Sequence, residues 1–324
     1  MAASMTGRER VNKAFAREDH DRVPRHDTYW WETIKRWQDE GLDGDAGTVL
    51  RQHLKSDMGA IAGSWPAPFP GTQRQIAEDE ETGTTVDDWG ATVRYWKGKA
   101  GTPEHLGFGC ETRDDWEKKY KPVYADYPVN IDADAIAQAM ARAEQEGRWT
   151  FLTGLESIEG MRRLLGDVGS LMGMAEDPEW IREISSMYTD AVIKGLDAAY
   201  EAGARVDGVW MYGDMAYNHA TVCSPQMYRD LVWPDHKRMA DWAHERDMKF
   251  IFHTDGDVTG VMDLYLEAGF DSLQPLEAKA NMDIRELCPK YGDQLTFFGN
   301  IDVMVLGTND RDKVEHEVRT KLEA

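Results

Sequence analysis

The chain has 324 residues, 41% of them apolar and twelve of them tryptophan, which is ample for a core in one barrel-sized domain or two ordinary ones. A net charge of −22 without an opposing basic patch argues against nucleic acid and anionic membranes as partners. No apolar run approaches the roughly eighteen residues that cross a bilayer, and the widely spaced Cys110, Cys223 and Cys288 form neither a disulfide framework nor a CxxC metal motif.

The start of the chain, MAASMTGRERVNKAF, lacks the basic-then-oily order of a secretory signal, so the expectation is a cytoplasmic protein with reduced thiols. In chain order, VPRHDTYW reads as a first strand and MGAIAG as a second. The stretch from about residue 64 to 130, rich in Gly, Pro, Trp and charge, reads as an irregular insertion within a single domain. Trp30, Trp31 and Trp37 read as core and helix-surface residues, and Cys223 and Cys288 as core.

Beyond residue 130 the pattern alternates. DADAIAQAMARAEQEG predicts a helix, RWTFLTGL a strand, DPEWIREISSMYTDAVIKGLDAAYEAG a helix and RVDGVWMYG a strand. SPQMYRDLVWPDHKRMADWAHERD predicts a long helix that Pro234 kinks, followed by the strand MKFIFHT, a helix through VTGVMDLYLEAG and the strand FDSLQPL. NMDIRELCPKYG (helix), QLTFFGN (strand) and a last helix from Asp310 complete the series. The pairs Asp177-Pro178 and Ser224-Pro225 supply N-caps with a first-turn proline, and Gly203 and Gly269 stand where helices end. Short strands, oily on both faces and separated by helices, imply parallel βα units.

Either a doubly wound sheet or a (β/α)8 TIM-type barrel is built that way. The polar residues at the strand ends decide for the barrel: Tyr212 and Asp214, then His253 and Asp255, then Glu277, then Asn300 and Asp302. No GxGxxG loop follows an early strand, as a doubly wound sheet would favour.

In FIFHTDGDVTG, strand alternation points His253 and Asp255 the same way, with Thr254 outward. Imidazole and carboxylate are both zinc ligands, and a catalytic zinc takes three protein ligands and keeps one open position. Glu277 is the sensible third ligand and Asp214 a fourth candidate. The structural alternative makes His253 a hydrogen-bonding strand end and Asp255 a turn or helix cap. Asp214 reads as a general acid or base or an anchor for a cationic group, and alternatively as an N-cap or ion-pair partner. Asn300 reads as a donor to a developing oxyanion or as a pin for its turn.

Taken together, RVPRHDTYW, LLGD with DPEW, EAGARVDGVWMYGDMA, SPQMYRDLVWPDHKRM, KFIFHTDGDV, AGFDSLQPLE, NMD and FFGNIDV resemble the uroporphyrinogen decarboxylase superfamily across essentially the whole chain. That superfamily includes the decarboxylase of haem synthesis and zinc-dependent methylcobalamin:thiol methyltransferases. The resemblance implies a barrel with its site in the mouth. Porphyrinogen decarboxylases carry an arginine-bearing MRQAGRY where this chain has RHDTYWWET, with only Arg22 and Arg25 nearby, so an octa-acid substrate fits poorly.

The methyltransferases resemble HxCG where this chain has His253-Thr254-Asp255-Gly256, a change from soft thiolate to hard carboxylate that still allows zinc. Family barrels continue into an eighth strand with a functional His or Cys, so the expectation is a barrel whose last strand-helix unit this chain lacks. The resemblance therefore implies methyl transfer to or from a small molecule, with zinc at His253 and Asp255 and a corrinoid carried on a partner protein. Asp214, Glu277 and Asn300 are the expected catalytic groups, and Tyr212, Asp302 and Arg25 the expected substrate contacts. Metal-free decarboxylation and a non-catalytic barrel are the competing expectations, and a homodimer is the candidate assembly.

Overall fold

A computed structural model describes residues 5–49, 53–99 and 101–323. Six strands form one parallel sheet: β1 (Met58–Ser64), β2 (Trp149–Leu155), β3 (Gly208–Tyr212), β4 (Lys249–His253), β5 (Ser272–Gln274) and β6 (Thr296–Phe297). Each strand lies beside its predecessor in the chain, so the order runs from β1 to β6 without reversal. A doubly wound sheet reverses its order at a switch point, whereas a barrel winds in one direction. The fold is thus mixed α/β of the TIM-barrel type, and none of the described helices is long and apolar enough to cross a membrane.

Among the described helices are α1 (Gly7–Ala16), α2 (Ala133–Gln145), α3 (Ser157–Glu176), α4 (Pro178–Glu201), α5 (Pro225–Leu231), α6 (Trp233–His244), α7 (Met262–Ala268), α8 (Ile284–Tyr291) and α9 (Arg311–Leu322). The expected caps are in place. Asp177 accepts from the Trp180 amide at the start of α4, and Ser224 from the Met227 amide at the start of α5. Gly203 and Gly269 follow their helices in the left-handed region, at φ 107° and 93°. The long helix expected around Pro234 is two helices: the chain breaks at Val232, and Pro234 sits in the first turn of α6, where its missing N–H costs nothing.

Strand alternation sorts the core into two layers. Leu152, Val209, Met211, Phe250, Phe252 and Leu273 face the surrounding helices. Met58, Trp149, Phe151, Trp210 and Ile251 face the barrel interior, where Val11 and Phe15 of α1 stop its amino-terminal end. Hydrogen bonds from the Trp149 indole to Asn12 and from Arg8 to Asp207 hold that stopper in place.

Three expectations need correction. VPRHDTYW is extended but forms no strand; Pro24 offers no ladder donor, and the Arg25 carbonyl takes one bond from the Asp57 amide. Its His26 packs on Phe151 and Trp210, where burial pulls the imidazole pKa down to about 4. The 64–130 insertion is regular: Arg74–Glu78, Thr82–Val86, Thr92–Trp96 and Glu104–Gly107 form an antiparallel four-stranded sheet. These strands are short; the outer two are largely solvated, Arg74–Glu78 throughout, and the inner two bury Gly83, Thr85 and Val93, so no oily run announces them. Trp30 and Trp31 are 61% and 63% exposed, so the core half of that reading fails, while Trp31, which opens the helix Trp31–Asp39, lies on a helix surface as expected. The sequence pattern also missed α3, whose four glycines read against a helix, and Gly166 does interrupt it, at φ 73°.

Candidate metal centre

Backbone bonds continue the parallel ladder beyond the strand ends. The Glu156 amide donates to the Tyr212 carbonyl at 2.9 Å, Gly213 to His253 at 3.1 Å, Thr254 to Gln274 at 2.8 Å and Asn300 to Pro275 at 3.1 Å. The loops that bear the polar residues are therefore held side by side rather than left to wander. The Thr254 hydroxyl faces away from the barrel interior, as alternation requires, and accepts from the Met215 amide at 2.9 Å, which pins the turn containing Asp214.

Asp214, His253 and Asp255 each offer a ligand atom within 4.8 Å of the others. β4 ends at His253, so strand alternation does not place Asp255. Its amide donates to Asp214 Oδ1 at 3.0 Å, and the next residue, Gly256, turns the chain at φ 84°. A Cβ there would stand 2.5 Å from the Ala216 carbonyl carbon, so the HTDGD string needs its glycine for both conformation and space. His253 Nε2 lies 3.6 Å from Asp214 Oδ1, while its Nδ1 pairs with Gln274 Oε1 at 2.5 Å. With the amide oxygen as acceptor, the ring proton sits on Nδ1 and the Nε2 lone pair turns to the carboxylates, as a metal-ligating imidazole requires.

Burial pushes the Asp255 carboxyl above its usual range; His253 pulls it back, and Asp214 and Glu277 push it further up. Crowded, half-buried carboxylates of this kind are what a cation relieves. The donor set of one imidazole nitrogen and two carboxylates suits zinc with one position left open.

Glu277 is not the third member of the group. One of its oxygens accepts from the Gly256 amide at 3.0 Å, and the other is paired with Lys279 at 2.8 Å. Tyr212 belongs to the wall of the site: its ring stacks on Trp210 and lies 5.0 Å from the His253 ring and 6.0 Å from Trp65, centre to centre. Burial raises its hydroxyl pKa.

Asn300 is buried and pins its turn. Its amide donates to the Leu276 and Met282 carbonyls, and its oxygen accepts from the Ile284 amide and Lys321 Nζ, which leaves no donor for an oxyanion. Asp302 caps the short helix Val303–Leu306 by accepting from the Met304 amide. Arg25 lies at the opposite end of the barrel, its backbone paired with Asp57 just before β1, and Arg22 is bound to the same carboxylate. Neither arginine reaches the mouth.

Two neighbours escaped the sequence reading. Glu159, in the first turn of α3, is raised by burial against the pull of Arg162 and Arg163, and both Glu159 and Arg162 are within electrostatic reach of Asp214. Arg162 bonds Glu159 at 2.9 Å. In the sequence these lie in a glycine-rich stretch that reads as no regular element; only their place just after β2 marks them.

Known proteins give a consistent comparison. No curated protein matches the chain. A solved structure, a methyltransferase from Methanosarcina mazei, is similar with a TM-score of 0.60 and 13% identity, covering 92% of this chain and 83% of that one; at such identity the likeness speaks for the fold. Residues 166–324 match the sequence model of the family described as uroporphyrinogen decarboxylase (URO-D), a span that includes Asp214, His253, Asp255 and Glu277. That match over the carboxyl-terminal part of the chain, together with the fold, is consistent with the uroporphyrinogen decarboxylase superfamily.

Proposed function

We propose that this protein is an enzyme of the methyltransferase-like branch, moving a methyl group between a corrinoid on a separate protein and a small molecule held at a zinc bound by Asp214, His253 and Asp255. The observation that carries the reading is the convergence of those three donors from two neighbouring strand ends in the barrel mouth. Zinc at these donors supplies Lewis acidity and lowers the pKa of a thiol or water brought to its open position. Gln274 keeps the imidazole turned towards Asp214, and the Asp255 amide fixes the Asp214 carboxylate. Tyr212 and Trp65 supply a flat wall beside His253 that orients the reacting molecule. Trp65 and, on the loop after β3, Tyr217 expose their rings to solvent, which suits a flat macrocycle presented from outside.

Elemental analysis of purified protein tests the reading, with about one zinc per chain expected. Chelator-sensitive methyl transfer from methylcobalamin to a thiol is the matching activity. A metal-free preparation that turns over the same substrate overturns it. The family match favours one rival, decarboxylation of a small carboxylated substrate, which release of CO2 from a porphyrinogen without added metal would identify. The positions of Arg22 and Arg25 speak against an octa-acid in that role.

A further inference from the structure

Next to the turn that carries Asp214 lies a buried chain of polar groups. Glu156, His236 and Tyr228 are all 0% exposed. The Glu156 carboxylate accepts from the amides of Ile158 and Glu159 at 2.7 Å each, which caps α3, and pairs with His236 Nε2 at 2.7 Å. His236 Nδ1 in turn meets the Tyr228 hydroxyl at 2.9 Å. With the imidazole proton on Nε2, the tyrosine donates to Nδ1 and every partner is matched.

A helix cap alone does not need this arrangement. Serine, threonine or aspartate caps as well, and without a buried imidazole to accompany it. What the longer side chain adds is contact with Gly213. A Cβ on Gly213 would lie 1.9 Å from Glu156 Oε1 and 2.2 Å from its Cγ, although the backbone there is not in the left-handed region. The carboxylate, not the conformation, demands glycine at this position. Asp214 therefore follows a residue wedged against Glu156 and precedes one whose amide is held by Thr254.

We infer that Glu156, held in place by His236, is a positioning residue: through Gly213 it fixes the Asp214 carboxylate beside His253. The inference rests on the metal-centre reading above. Residues behind metal ligands typically change affinity about 10–100-fold when altered. Glu156→Gln keeps the size of the side chain but opposes an amide to donors, and Gly213→Ala keeps the buried pair and pushes on the turn instead.

The experiment is titration of metal-free protein with Co²⁺, read by its visible spectrum and by affinity, with circular dichroism of each variant alongside. Both variants are expected to bind Co²⁺ at least about tenfold more weakly than wild type, with displaced bands. Adding Glu156→Asp, one methylene shorter, to Gly213→Ala is expected to recover part of the affinity. A folded variant of either kind with wild-type affinity and spectrum overturns the inference, as does a double variant that is merely the sum of its parts. Gly213→Ala keeps the test decisive should Glu156→Gln fail to fold. Wild-type protein that takes up no Co²⁺ removes the metal centre itself and this inference with it, whereas wild type that binds beside unaffected variants removes the inference alone.

Discussion

Asp255→Asn is expected to abolish stoichiometric zinc uptake while leaving the metal-free protein at least as stable as wild type. The two halves of this result come from one cause. In the metal-free fold the Asp255 carboxyl is raised first by burial and further by Asp214 and Glu277, with His253 and Lys279 opposing. A carboxyl whose folded pKa exceeds its unfolded value binds its proton more tightly in the native state. Below the unfolded value, near 3.9, no penalty exists. As pH rises from there through the folded pKa, native stability falls. Asparagine has no such charge, and among the described residues the Asp255 side chain has no hydrogen bond to lose.

The same substitution removes one of three ligands, so zinc affinity should fall at least about 100-fold, or roughly 2.7 kcal/mol. Thermal denaturation at neutral pH with and without zinc checks both halves. Zinc raises the wild-type midpoint and leaves the variant unmoved, while with chelator the variant melts at or above wild type. A variant that keeps its zinc, or that melts well below wild type when metal-free, counts against the assignment.

The second large effect belongs to the other end of the barrel. Asp57 is buried, accepts from Arg10 at 2.5 Å, from both Nη atoms of Arg22 at 2.7 and 2.9 Å, and from the Arg25 amide at 2.7 Å. Arg10 is itself 2% exposed and also bonds Asp21. Asp57→Ala leaves a buried guanidinium short of a counter-charge, a change worth about 3–5 kcal/mol. It also loosens α1 from the base of β1. Urea denaturation should show the loss, with Asp57→Asn between variant and wild type. Because this end carries stability rather than chemistry, protein that remains folded should retain its full metal content. Metal loss at native fold would contradict that division.

Much of the barrel was legible because β2, β3 and β4 are oily runs followed by polar residues, and because helix caps at Asp177 and Ser224 are local signals. The insertion was illegible because its outer strands are largely exposed and its inner strands bury small or polar residues such as Gly83 and Thr85, which leaves little hydrophobic period to read. At the site, His253 and Asp255 were found by a rule that applies only to the first of them. A glycine turn and a bond to Asp214, not the pleat, bring Asp255 into place. Choosing Asp214 over Glu277 required knowing that Lys279 and the Gly256 amide had already claimed Glu277. The pairing of Glu156 with His236 joins residues 80 apart in the chain, and nothing in either neighbourhood announces it.

The α1 stopper has a kinetic consequence. With Val11 and Phe15 packed against Trp149 and its neighbours, the interior is plugged at its amino-terminal end, and both reactants must use the rim. If the protein transfers a methyl group as proposed, a bulky donor seated there covers the approach of the smaller reactant. The small molecule is therefore expected to bind before the donor, and the methyl to pass directly between them in one complex, giving intersecting rather than parallel double-reciprocal plots.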